Sequence, residues 1–186
     1  MADLSEKVID FFTNAKVNMR TLHEVLSEFL AVEVGRQKLY ERALELVTDT
    51  EVRSKFREYH RQTVRHQKTL IDVIRKLNGN PQMPSAKAKV AAGKAQALLK
   101  TMGRSGLSKD EAQLNAIENI VLADHADWEL LGKIVRQTTD SHLREVLRPA
   151  VHTVEQEEDE HLNWTRKNSE SRKWHRSYNR TRPVQS

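Results

Sequence analysis

Four stretches of this chain repeat apolar residues at alternating spacings of three and four, and no other feature restricts the fold as strongly. This spacing places the apolar residues on one face of an α-helix. The stretches cover about 20–47, 51–77, 109–137 and 142–168, and no alternating strand pattern of any length competes with them. The sequence therefore predicts an all-α protein.

Breaks between the helices are few, because the chain of 186 residues contains only six Gly and four Pro. Turn and cap residues at 48–50 and 139–141 divide the four stretches into two hairpins. A Lys- and Ala-rich helix is predicted at about 86–101, in the connection between the hairpins. We predict a four-helix bundle of two helical hairpins joined by a long crossover that contains an extra helix. The bundle domain should cover 1–168, with a short first helix at about 3–12.

Composition excludes several classes of protein. The chain has no cysteine, which rules out disulfides, thiolate metal sites and cysteine nucleophiles. It has no apolar run of about 18 residues, so no membrane span is predicted. The N-terminus lacks the basic start and cleavage site of a signal peptide, and we expect a cytoplasmic protein.

Each apolar row is interrupted by charged or imidazole side chains near its middle. Four of these residues lie 16 to 18 residues from the nearer turn aspartate, Asp49 or Asp140, which is roughly 25 Å along a helix. The interrupting residues are Glu33 and Arg36 in the first row, His66 in the second, Asp124 in the third, and Glu158 and His161 in the fourth. We therefore predict that they meet in one layer of the bundle.

A layer of this composition needs a neutralising cation, since clustered carboxylates in an apolar core repel one another. Carboxylate and imidazole ligands suit iron, manganese and zinc. Glu158 and His161 are i, i+3 neighbours and could hold one ion from a single helix turn. The guanidinium of Arg36 could instead neutralise the carboxylates without a metal. The sequence leaves both interpretations open.

The acidic run at 155–160 contains further carboxylates around Glu158. Glu155, Asp159 and Glu160 are expected to face solvent. Glu157 or Asp127 could support the layer as a partner of one of its residues.

The spacing of these residues resembles that of the ferritin-like superfamily, relatives of bacterioferritin and rubrerythrin, over about residues 20–168. That family builds a di-metal centre from one Glu on each of two helices and a Glu-x-x-His on each of the other two. Glu33 matches the first of these Glu residues, and Asp124 stands where the second would be. Glu158 and His161 match one Glu-x-x-His. The segments EVGRQKLYERAL, RQTVRHQKTL and DHADWELLGKI also resemble small bacterial ferritin-like proteins with no assigned reaction.

The resemblance implies a metal site with an incomplete ligand set, because Gln62 and Thr63 stand where the other Glu-x-x-His would place its carboxylate. It implies one or two ions of iron or manganese, with zinc as a further choice, and an oxidase or peroxide-handling reaction. The alternative is a non-enzymatic bundle with a vestigial site, acting as an interaction or structural module. Whether the chain is an enzyme is left open. The implied ligands are Glu33, His66, Asp124, Glu158 and His161.

The C-terminal residues carry the basic charge of the chain. Residues 165–186 contain seven Lys and Arg against one Glu, while the whole chain has a net charge of +5. We expect 169–186 to form a basic, flexible tail, whose interleaved aromatic residues could contact nucleic acid. We also expect a homo-oligomer, a dimer or larger.

Overall fold

The computed structural model describes residues 18–102 and 109–180 of the chain, with side chains at 18–102 and 112–170. This part of the chain forms five helices and contains no strand, so the all-α prediction is confirmed. None of these helices is both long enough and apolar enough to cross a membrane. The predicted helix at 3–12 lies outside the described residues. The helices are α1 (Met19–Leu46), α2 (Thr50–Lys76), α3 (Ala86–Thr101), α4 (Lys109–Gln137) and α5 (Ser141–Arg180).

Polar side chains begin the helices at the predicted breaks. The Asp49 carboxylate accepts from the backbone N–H groups of Glu51 and Val52, at 2.9 and 3.1 Å. The Asp140 carboxylate accepts from the N–H of Leu143 at 3.0 Å. Each bond satisfies a donor that the first helical turn leaves free, which fixes where α2 and α5 begin.

Helix α5 runs further than predicted. It continues to Arg180, whereas the sequence pattern placed its end at about residue 168. Thr165 and Ser169 are both buried, so the helix still packs on the bundle where the tail was expected to begin. The apolar row ends before this point, but neither Gly nor Pro occurs between 165 and 180 to stop the helix.

The core consists of two apolar clusters with a polar layer between them. One cluster contains the N-terminal halves of α1 and α5 with the C-terminal halves of α2 and α4. The other contains the opposite halves of those helices, together with residues of α3. Every residue of the predicted apolar rows is buried, including the polar residues that interrupt them. The predicted helix faces are therefore confirmed.

Helix α3, which lies in the crossover, packs closely against α1. A Cβ built on Gly35 would lie 2.5 Å from the Ala95 Cβ, which is too close for two carbon atoms. The buried residues of α3 are also small, namely Ala88, Ala91 and Ala95. This close approach depends on the missing side chain of Gly35, one residue before Arg36.

The carboxylates of the acidic run on α5 pair with side chains of two neighbouring helices. Its members alternate between partners on α4 and on α2, while Glu158 points into the core. The exposed pairs add little stability individually, but each agrees with the same alignment of α5 between α4 and α2. They join Glu155 to Arg136, Glu157 to Arg65, Asp159 to His125 and Glu160 to Lys55.

Replacing Gly35 by Ala should destabilise the protein, because the new methyl group must push α3 away from α1. We expect a loss of about 1–3 kcal/mol in the free energy of unfolding. Gly93→Ala is the matched control, since a Cβ there meets nothing within 4 Å. That substitution should stabilise the protein by about 0.5–1 kcal/mol, through helix propensity. Urea unfolding of both variants measures the difference, and equal stabilisation by both would contradict the close contact.

Candidate functional site

All five predicted ligands lie in one buried layer, where each residue is 2% exposed or less. The layer separates the two apolar clusters. Four of the five offer ligand atoms that all lie within 4.8 Å of one another, and this group could bind a metal ion. The four are Glu33, His66, Asp124 and Glu158, while His161 lies beside them. The structure thus brings together the residues that the sequence placed at one height.

Arg36 lies in the middle of this group and is itself fully buried. Its Nη1 donates to both carboxylate oxygens of Glu158, at 2.8 Å each, and also contacts Asp124 Oδ2. Its Nη2 donates to Glu33 Oε2 at 2.8 Å. A single guanidinium therefore touches all three carboxyl groups of the layer.

His161 is held as a neutral imidazole. Its Nδ1 lies 3.3 Å from Arg36 Nη1, and because a guanidinium only donates, Nδ1 must accept. Its Nε2 then carries the proton and donates to the Gln62 side-chain oxygen. Burial lowers the pKa of His161, the Arg36 charge lowers it further, and the Glu158 carboxylate only partly opposes them.

His66 favours the charged form. Its Nε2 lies 2.7 Å from Glu157 Oε2, and its Nδ1 lies 3.2 Å from Glu33 Oε1 and 3.1 Å from Glu158 Oε1. Burial would lower the pKa of His66, but hydrogen bonds to Glu158 and Glu33 outweigh it and raise the pKa to about 9. Arg36 Nη2 also lies 3.0 Å from Nδ1, but two carboxylate oxygens beside Nδ1 can accept its proton, unlike at His161, where Glu158 is 3.5 Å away. The two cations therefore share the same carboxylates.

The surroundings shift the pKa values of Asp124 and Glu158 in opposite directions. Burial raises the pKa of Asp124, and although the Arg36 charge lowers it, burial together with the Glu158 and Glu33 carboxylates outweighs that effect. Burial would also raise the pKa of Glu158, but the charge of Arg36 and the hydrogen bond from His66 hold it well below the usual range. Arg36 contacts all three carboxyl groups of the layer, and His66 contacts Glu33 and Glu158. The layer therefore contains counter-charges for its own carboxyl groups.

The second helix supplies no carboxylate to the layer. The Thr63 hydroxyl donates to the backbone oxygen of Tyr59 at 2.9 Å, within its own helix. The Gln62 oxygen is bonded to His161. The ligand set of a di-metal centre is therefore incomplete at the position where the sequence already lacked a carboxylate, and Arg36 lies among Glu33, Asp124 and Glu158.

Trp128 belongs to the layer and was not predicted to do so. Its Nε1 donates to Glu33 Oε1 at 3.0 Å, so it fixes the oxygen that Arg36 leaves free. Trp128 follows Asp124 by four residues in the same apolar row, and a buried tryptophan needs an acceptor for its N–H. A tryptophan one turn after an inward-facing aspartate was therefore the sequence signal for a place in the layer.

Two further residues, Glu157 and Tyr40, adjoin the layer. Glu157 accepts from both Arg65 and His66, as expected of a supporting residue. Tyr40 is fully buried beside the layer, with its ring 5.5 Å from Phe56 and 6.5 Å from His161. Its hydroxyl has no hydrogen-bond partner among the described residues, so Tyr40 acts there as a core aromatic.

Stability should fall as the pH rises from about 6 to 9.5, because His66 binds its proton more tightly in the folded state. Its contribution is complete below the unfolded pKa of 6.5 and is lost as the pH passes about 9. The loss should be on the order of 3 kcal/mol or less. Urea unfolding across this range measures it, and His66→Gln should remove the upper part of the slope.

Asp127 provides a second titration that must be separated from the first. Burial, together with the charges of Glu28 and Glu33, raises the pKa of Asp127 to about 8. This carboxyl also loses its stabilising proton as the pH rises, between about 4 and 8. Asp127→Asn should therefore flatten the lower part of the slope and leave the upper part to His66. A flat profile for the parent protein between pH 6 and 9.5 would contradict both assignments.

Comparisons with protein-family models, with curated proteins and with solved structures find no match for this chain.

Proposed function

We propose that the chain is a non-enzymatic helical bundle in which Arg36 takes the place of a metal ion, and that its role is association with other molecules. The observation that carries the proposal is the contact of one buried guanidinium with Glu33, Asp124 and Glu158 together. The fold we propose is a ferritin-like bundle, supported by the two helical hairpins and the crossover helix between them.

Displacing Arg36 would be costly. Burial alone would lower the pKa of Arg36, but the three carboxyl groups outweigh it and hold the pKa well above the ordinary value. The residue therefore cannot leave the layer by losing its proton, and moving it intact would break every ion pair that it makes. His66 adds a second obstacle, because a metal ligand must release its proton and this imidazole favours the charged form.

The vestigial ligand set supports the same proposal. A carboxylate-bridged metal pair needs a carboxylate on α2 in the turn before His66. Gln62 and Thr63 stand there, and each is already hydrogen-bonded, to His161 and to the Tyr59 backbone. When bound in such a bundle, a metal pair supplies redox chemistry toward oxygen or peroxide. The residues present do not fit that pair.

A second candidate is a protein that holds one divalent ion, with iron, manganese and zinc as the choices. The observation that favours it is the group of four buried ligand atoms within 4.8 Å of one another. Binding would require Arg36 to swing out of the layer and His66 to give up a proton.

The metal content of the purified protein separates the two candidates. We expect less than about 0.1 equivalent of iron, manganese or zinc per chain by elemental analysis, and no change in the melting temperature on adding a chelator. These results follow because Arg36 already compensates the carboxylates. One or two ions per chain, together with a melting temperature that the chelator lowers, would establish the metal-binding candidate instead.

Removing Arg36 should destabilise the bundle and open the layer to metal. Arg36→Ala leaves three carboxyl groups without their cation, and we expect a loss of about 3–5 kcal/mol. Arg65→Ala is the control, since its pair with Glu157 is exposed and worth about 1 kcal/mol or less. Added Mn²⁺ should raise the melting temperature of Arg36→Ala and leave that of Arg65→Ala unchanged. Failure of Mn²⁺ to bind Arg36→Ala would show that Arg36 does not occupy a metal position.

A further inference from the structure

We propose that residues 3–12 of this chain bind as a helix in the groove between α1 and α3, antiparallel to α1. The groove has a volume of about 270 Å³, and none of the described residues that line it belongs to the polar layer. These contacts lie within one chain, so they go beyond the proposed function and do not depend on it.

The floor of the groove is apolar and is not covered by the described helices. Leu30, Ala31 and Val34 of α1 are only partly buried there, and Ala92 of α3 is exposed. Among the described residues that line the groove, only Lys38 is charged. An apolar surface of this kind is stabilised when another apolar face covers it.

The groove continues to the first turn of α1. A second cavity at the start of this helix shares Ser27 and Pro84 with the groove, and its lining includes Arg20. The Asn18 side chain accepts from the backbone N–H groups of Arg20 and Thr21, which fixes the start of α1. The chain before Asn18 therefore enters α1 beside one end of the groove.

Residues 3–12 have the apolar pattern that such a floor requires. Leu4, Val8 and Phe11 follow the helical spacing i, i+4, i+7, and Phe12 lies beside them. The acidic residues of the segment fall on the opposite face, so the predicted helix is amphipathic. An isolated helix of this length is marginal in water, and it needs a surface on which to bury its apolar face.

The lengths of the segment and the groove agree. Ten helical residues span about 15 Å, and the groove lining on α1 from Ser27 to Lys38 spans about 16 Å. Residues 13–17 can cross about 17 Å, which exceeds the spacing of about 8–10 Å between packed helix axes. A connection this short favours an antiparallel neighbour. Phe12 would then lie near the start of α1, and Leu4 toward Lys38.

The connection also favours this segment over other occupants. A short tether gives the segment an effective concentration on the order of millimolar at the groove. A separate protein, or a second copy of the chain, would need a higher intrinsic affinity to take its place. We therefore expect the groove to be covered within one chain.

Cysteine labelling tests whether the groove is covered, because the chain has no cysteine of its own. Ala92→Cys places a thiol in the groove lining, and Ala97→Cys places one at an exposed position of α3 outside it. In the full chain, N-ethylmaleimide should modify Ala92→Cys at least about tenfold more slowly than Ala97→Cys. Equal rates would overturn the proposal.

A variant of the segment identifies what covers the groove. Leu4→Asp/Val8→Asp/Phe11→Asp should raise the labelling rate of Ala92→Cys at least about tenfold, because its charged face can no longer pack on the apolar floor. Protection that survives these substitutions would show that another part of the molecule covers the groove, and the proposal would fail.

The matched control changes the polar face of the same segment. Lys7→Asp/Thr13→Asp alters the net charge by the same amount and should leave the labelling rate of Ala92→Cys within about twofold. Loss of protection in this variant as well would mean that charge, rather than apolar contact, controls access to the groove. That result would contradict the proposal.

Dilution separates this segment from a second copy of the chain. Protection within one chain does not depend on protein concentration, so Ala92→Cys should be labelled at the same rate at about 1 and about 100 μM protein. Faster labelling at the lower concentration would assign the groove to a second copy and overturn the proposal.

The direction of the segment is tested with pairs of nitroxide labels. In the antiparallel arrangement, electron–electron resonance should give a shorter distance for Asp3→Cys/Lys38→Cys than for Asp3→Cys/Arg20→Cys. The reverse order would place residue 3 near the start of α1, which contradicts the proposed arrangement.

Discussion

The contact of Arg36 with three carboxyl groups is the interaction on which the rest of the bundle depends. Glu33, Asp124 and Glu158 come from three different helices, and burying them together as charged groups without a counter-charge would be strongly destabilising. Because one guanidinium reaches all three, the polar layer can lie in the middle of the core. The helices are joined there by directional bonds, whereas apolar packing above and below the layer is directionless.

The layer also fixes how the helices align along their lengths. Apolar rows can pack in several registers that differ by a helical turn, but the acceptors of Arg36 are available in only one of them. If α5 moved by one turn, Glu158 would leave the guanidinium and His161 would leave Gln62. The exposed pairs of the acidic run would break at the same time, since they agree with the same register. The acids on α5 thus specify alignment at the surface and in the core together.

The sequence predicted the helices, their faces and the meeting of the polar residues, because all three follow from spacing. It did not predict which cation neutralises the carboxylates. Arg36 belongs to the same apolar row as Glu33, but such a row shows only that a side chain points inward. It does not show which groups the end of a long, flexible side chain contacts. It missed the end of α5, because the absence of helix breakers continues beyond the last apolar position. It missed the role of Trp128, which in the sequence is one more apolar residue of a buried row.

The residues of the layer that do not suit a di-metal site all affect its charge. Two divalent ions neutralise four charges, and a single guanidinium neutralises one. A layer closed by Arg36 can therefore hold only a reduced number of ionised carboxyl groups. Thr63 and Gln62 bring no carboxylate from α2 into the layer, burial raises the pKa of Asp124, and His66 favours its charged form. Each of these features lowers the negative charge of the layer toward what Arg36 can balance. Arg36 on α1 and the uncharged Gln62 and Thr63 on α2 thus serve the same requirement, which is a small negative charge in the buried layer.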